Sequence, residues 1–144
     1  MIFDDVLELA RSVSHFTIAG EGNVSVRDGD AMLIKASGST LETMTDDDLV
    51  RCDLDGNAFE GEEKKPSMEV SFHAWILKTF PEINCVCHTH PTNTIKILCS
   101  GRIRDFANKR LFPDQVVRNG TKSCVVPYAT PGAPLREEIK KSVE

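Results

Sequence analysis

At the N-terminal end, Phe3, Val6, Leu7, Ala10, Val13 and Phe16 recur at the three- and four-residue intervals of one helix face. This spacing predicts an amphipathic helix from about Asp4 to Phe16. Gly20 and Gly22 then open a loop. Val24, Val26 and the run Ala31–Lys35 flank Asp28-Gly29, a dipeptide suited to a tight hairpin turn. Ala36-Ser37-Gly38-Ser39-Thr40 is a loop of small residues. Thr45 before Asp46, Asp47 and Asp48 reads as an N-cap with an acidic first turn. Leu49–Asp53 and Asn57–Glu60 flank Asp55-Gly56 and predict a second hairpin.

From Ser67 the period becomes helical again. Val70, Phe72, Trp75, Ile76 and Phe80 cover much of a helix surface, and Pro81 stops it. Ile83–Thr89 reads as a strand, Asn93–Ser100 as a short helix ended by Gly101, and Ser123–Val126 as a further strand. Pro131-Gly132 makes a turn. Pro134 suits the first position of a helix in which Leu135, Ile139 and Val143 share a face. No repeat, linker or low-complexity stretch interrupts the pattern.

Composition narrows the class. With 144 residues, 40% of them hydrophobic and 27% charged, the chain reads as one globular domain large enough for a core. A formal charge of −5 with scattered basic residues argues against a nucleic-acid surface. No apolar run approaches a membrane span, and no charged-then-apolar leader precedes the first helix. Cys52, Cys85, Cys87, Cys99 and Cys124 form no regular disulfide framework, which fits free thiols in a reducing cytoplasm.

The chemistry concentrates in Lys65-Pro66-Ser67-Met68-Glu69 and in His88-Thr89-His90. Side chains alternate along a strand, so Val86, His88 and His90 face one way and Cys85, Cys87 and Thr89 the other. The imidazoles can therefore share a divalent metal such as zinc, while the thiols point away and are expected to pack in the core or under a helix. Glu69 and His73, four apart on one helix face, are within reach of each other. Turned toward the histidine strand, Glu69 becomes a candidate ligand or general base; turned otherwise, it favours the helix dipole. His73 reads as structural, and Asp53-Leu54-Asp55-Gly56 as a turn rather than a calcium loop, because the twelfth-position glutamate is not in place.

These motifs, together with Gly22-Asn23-Val24-Ser25-Val26-Arg27, Ile34-Lys35-Ala36-Ser37-Gly38 and Val126-Pro127-Tyr128-Ala129-Thr130-Pro131-Gly132, resemble the class II aldolase/adducin family in order and spacing over nearly the whole chain. The resemblance implies an α/β fold, a three-layer α/β/α sandwich around a mainly antiparallel sheet. It implies that His88 and His90 are two of three zinc histidines, with Zn2+ or another divalent metal as cofactor. Glu69 would be the acid/base and a further metal contact. Asn23, Ser37, Gly38 and Ser67 would receive a substrate phosphate, and Lys35 adds a positive charge beside them, unless it is simply a solvated strand end.

The activity implied is a lyase that cleaves a carbon–carbon bond of a hydroxylated sugar or sugar phosphate through an enediolate. Sister activities are sugar-phosphate 4-epimerase and decarboxylase. The second class of function is a non-catalytic, adducin-like interaction module. A homo-oligomer, a tetramer by resemblance, is expected, and Tyr128 either packs locally or reaches a neighbouring subunit's site. Two departures stand out. Met68 replaces a second serine, and the family's third metal histidine has no counterpart, His15 and His73 being the other histidines. The expectation is therefore a single domain over residues 1–144, C-terminally incomplete rather than a natural short form with an incomplete site, with weak or absent metal binding.

Overall fold

The computed structural model describes residues 2–18 and 20–143. Helix α1 (Ile2–Ser14) precedes strands β1 (Asn23–Asp28), β2 (Ala31–Lys35) and β3 (Leu49–Asp53). Helix α2 (Val70–Thr79) and strand β4 (Cys85–His88) follow, then helices α3 (Thr92–Cys99), α4 (Ile103–Asn108), α5 (Pro113–Asn119) and α6 (Ala133–Val143). The four strands form one antiparallel sheet in the order β3-β2-β1-β4.

Period-two patterning places the sheet between two helical layers. Val24 and Leu33 face Val6, Leu7 and Ala10 of α1, joined by Leu41, Met44 and Leu49. Met32, Ile34, Val50 and Cys52 face the other way, onto Ala74 and Leu77 of α2. Met32, Leu33 and Ile34 are essentially fully buried, each stabilising the fold by roughly 1.5–3 kcal/mol relative to exposure. Helix α6 packs on α2 as an outer element, with Lys140 Nζ 5.9 Å from the Trp75 ring centre. The predicted α/β/α arrangement is present. Arg27 locks α2 to the sheet: its guanidinium donates to the carbonyls of Leu77, Phe80 and Ile83, satisfying groups that the end of a helix leaves open.

Four sequence expectations need correction. Ser123–Val126 forms no strand; Ser123 N–H instead donates to the Ala107 carbonyl at 3.1 Å. Asn57–Glu60 contributes a single bridge, Cys52 to Ala58, because Asp53 Oδ1 draws in the backbone N–H groups of Asp55 and Asn57 and curls the chain into a turn. Helices α4 and α5 are additional to the elements that the pattern predicts; Pro113 starts α5, a position that suits proline. Finally, Cys85 and Cys87 are exposed, as are Cys99 and Cys124; Cys52 alone of the five is buried. Strand β4 lies at the sheet edge, beyond the cover of α1.

Candidate active site

Three segments meet at one end of β1. Strand pairing sets Asn23 directly opposite His88. The turn before β1 runs against the end of β4: a Cβ on Gly22 would lie 2.6 Å from the His88 carbonyl oxygen, and Gly22 has φ +78°. Only glycine meets both conditions without strain. The loop after β2 is laced to the segment before α2 by Ser37 N–H to Lys65 O at 2.9 Å and Ser67 N–H to Lys35 O at 3.0 Å. Gly38, at φ +84° with nothing within 4 Å of a Cβ position, leaves that loop open to solvent.

The result is a cleft of about 260 Å³. The candidate catalytic, metal and anion-binding residues read from the sequence line it: Asn23, Lys35, Ser37, Gly38, Ser67, Glu69, His88 and His90. Met68 sits at its mouth, 71% exposed. Pro131 reaches the wall, whereas Tyr128 is 92% exposed and does not line the cleft.

The histidines show a definite pattern. His88 Nε2 and His90 Nε2 stand 3.1 Å apart. Two nitrogen lone pairs at that distance repel unless a hydrogen or a cation lies between them. The separation also matches two imidazoles bound to one metal at about 2.1 Å each, so this part of the donor set fits a divalent ion. Each remaining ring nitrogen meets a carboxylate: His88 Nδ1 contacts Glu69 Oε2, and His90 Nδ1 lies 2.9 Å from Glu21 Oε2. Glu69 thus touches the ring nitrogen of His88 that faces away from His90. In this arrangement it orients the ring rather than completing a three-donor set. Among the described residues no group of three or more His, Cys, Asp or Glu side chains is placed to hold a metal.

Glu69 sits at the start of α2 with its side chain 13% exposed. Burial pushes its carboxyl up, but hydrogen bonds with His88 and Asn23 outweigh this and hold it below the ordinary range. Asn23 Nδ2 donates to Glu69 Oε2 at 2.7 Å, so Asn23 serves the carboxylate rather than presenting that nitrogen to the anion end. Phe72 braces the His88 ring edge-on at 5.9 Å between centres.

At the other end Lys35 is 4% exposed, with Nζ 3.3 Å from the Ala36 carbonyl. Burial lowers its pKa, opposed by the Asp48 carboxylate. It is therefore a buried cation rather than a solvated strand end. Ser67 Oγ accepts from Glu69 N–H at 3.3 Å, tying the two ends together. His73 lies outside the cleft, fully buried, with Nδ1 2.7 Å from Ser25 Oγ and Nε2 unpartnered. Burial depresses its pKa to about 3. Sequence reasoning missed Glu21; the signal was a carboxylate between two glycines immediately before β1.

Comparison with known proteins identifies the family of the chain. Residues 5–144 match the family described as "Class II Aldolase and Adducin N-terminal domain". The chain is 34% identical over 139 residues to a 3-oxo-tetronate 4-phosphate decarboxylase of Haemophilus influenzae, covering 93% of this chain and 65% of that protein. It is 37% identical over 75 residues to an L-fuculose phosphate aldolase of Methanocaldococcus jannaschii, covering 52% of this chain and 40% of the relative. The chain thus spans less than two thirds of the length of these curated relatives. Among solved structures, YgbL from Escherichia coli superposes with a TM-score of 0.82 at 26% identity, over 97% of this chain and 69% of that one. No helix among the described residues is long and apolar enough to cross a membrane. The chain belongs to the class II aldolase and adducin family.

Proposed function

We propose that this protein is a metal-dependent lyase that cleaves a carbon–carbon bond of a hydroxylated sugar phosphate through an enediolate. The observation that carries this reading is the two-ended cleft. The paired imidazoles of His88 and His90 stand at one end; Lys35, Ser37, Gly38 and Ser67 stand at the other. A buried ammonium with hydroxyls and an open glycine backbone suits an oxyanion, and both named relatives act on phosphorylated compounds.

His88 and His90 would hold a divalent ion, Zn2+ being the first choice. Such an ion supplies Lewis-acid polarisation of a substrate carbonyl. Lys35 and the serine loop hold the phosphate and so fix which carbon stands beside Glu69. Glu69, kept as a carboxylate by His88 and Asn23, takes the proton from a substrate hydroxyl or returns one to the enediolate carbon. The exposed rim side chain Met68 puts apolar surface at the mouth of the cleft where a second hydroxyl donor would otherwise stand.

A second reading within the same chemistry is decarboxylation of a 3-oxo acid phosphate, favoured by the decarboxylase match over 93% of the chain. It leaves the same kind of carbanion and asks the same proton transfer of Glu69. Assay of the purified protein with Zn2+, Co2+ or Mn2+ on L-fuculose 1-phosphate and on a 3-oxo-tetronate 4-phosphate separates the two: one yields an aldehyde, the other CO2. Glu69→Gln should keep fold and metal while turnover drops roughly 10²–10⁴-fold. The proposal fails if the folded, metal-treated protein turns over neither substrate, or if His88→Ala and His90→Ala leave metal content unchanged. A folded protein that takes up no metal and turns over neither substrate belongs instead with the adducin-like, non-catalytic interaction modules.

A further inference from the structure

We infer that Glu21 is a positioning residue that sets the tautomer and orientation of His90 for the metal that the proposed function requires; the inference rests on that reading. Glu69–His88 and His90–Glu21 form a chain in which each imidazole turns Nδ1 to a carboxylate and Nε2 to the other imidazole. A ligating histidine needs its second nitrogen to donate a hydrogen to an acceptor, because that hydrogen bond fixes which nitrogen keeps its lone pair. Glu69 does this for His88. For His90, Glu21 is the acceptor that the structure provides.

The bland alternative is an exposed acid–histidine contact of little consequence, since Glu21 is 50% exposed and such pairs add little stability. The backbone argues against it. Glu21 N–H donates to the Ile18 carbonyl at 3.0 Å, and His90 N–H to the Phe16 carbonyl at 3.0 Å, so both partners hang from the same chain segment after α1. Gly20 and Gly22 flank Glu21 with φ of +84° and +78°, and Gly22 lies against the His88 carbonyl. The carboxylate is thus delivered to His90 by a turn fitted onto the histidine strand, not by a free side chain. Its worth lies in direction rather than in stability.

Two readouts test this. In metal-free, ¹⁵N-labelled protein above neutral pH, the His90 ring should carry a hydrogen on Nδ1, with the Nε2–Nε2 contact relieved by an intervening water or hydrogen in place of the metal. Glu21→Ala should move it to the Nε2–H form that free imidazoles prefer, with His88 unchanged. Glu21→Gln, whose side-chain oxygen still accepts, should restore the Nδ1–H form. In the same variants Zn2+ affinity, measured by competition with a chelator, should fall about 10–100-fold for alanine and less for glutamine. A His90 tautomer that is the same in wild type and Glu21→Ala overturns the inference, whatever the zinc affinity. If the wild type takes up no Zn2+, the proposed function fails, and the tautomer shift alone still decides the role of Glu21.

Discussion

Replacing the buried histidine outside the cleft, His73→Asn, should flatten the pH dependence of stability on the mildly acidic side. His73 has no solvent exposure, and burial holds its pKa at about 3 against 6.5 for the unfolded reference. Between those values the unfolded chain binds a proton that the folded chain refuses, so stability falls as pH falls below 6.5 and is unaffected above it. Linkage puts the loss at about 0.8 kcal/mol at pH 6 and about 2 kcal/mol at pH 5. The carboxylates held low, Glu69, Asp48 and Asp53, respond further down, and the other three histidines are common to both proteins, so the difference between the two over pH 7 to pH 5 isolates His73. Asparagine keeps a polar atom near the Nδ1 position for Ser25 but does not titrate. Urea unfolding of both proteins at pH 7, 6 and 5 gives the comparison. Asparagine lowers the baseline through lost packing, yet its decline between pH 7 and 5 should be smaller by roughly 2 kcal/mol. Parallel declines would show that His73 takes up its proton without unfolding the chain, and the burial argument would be wrong.

Three further perturbations test the frame around the site. Gly22→Ala forces an L-residue to φ +78° with its Cβ 2.6 Å from the His88 oxygen; the backbone term alone costs about 1–2 kcal/mol, so the melting temperature should drop by several degrees and zinc uptake with it, and an unchanged melting curve would refute the close approach. Arg27→Met leaves the carbonyls of Leu77, Phe80 and Ile83 without their guanidinium, a loss of about 1.5–3 kcal/mol that should shift the urea midpoint; no shift would mean those groups are satisfied by water. Lys35→Met keeps the volume of a buried side chain but removes its charge, and should weaken inorganic phosphate binding at least about tenfold with zinc uptake intact; equal phosphate affinity would take Lys35 out of the anion end.

The site was legible where chemistry and period coincide in a few residues. The alternation at His88 and His90 put both rings on one face even though β4 ends at His88, and the small-residue loop at Ser37-Gly38 reached Ser67 as the motifs implied. What stayed hidden depended on neighbours distant in sequence. Glu21 gained meaning only when its turn met β4. The thiols of Cys85 and Cys87 were read as packed because the pattern reveals a strand's faces but not whether a helix covers them. Ser123–Val126 has strand-like residues but joins no strand, and such propensity is realised only against a partner.

The pairing of β1 with β4 also acts as a selector of chemistry. The strand carries two alphabets on its two faces: imidazole at His88 and His90, thiol at Cys85 and Cys87. Asn23 against His88 and Val24 against Cys87 is the alignment that brings the imidazoles to the two carboxylates. A slip of one residue reverses every side chain on a strand, so the same carboxylates would then meet Cys87 and Thr89. A chain misaligned by about 3.3 Å would present a thiol where the paired imidazoles now stand, while keeping almost the same outline. The register of one strand pair therefore decides which of two chemistries faces the cleft, with no change in the fold around it.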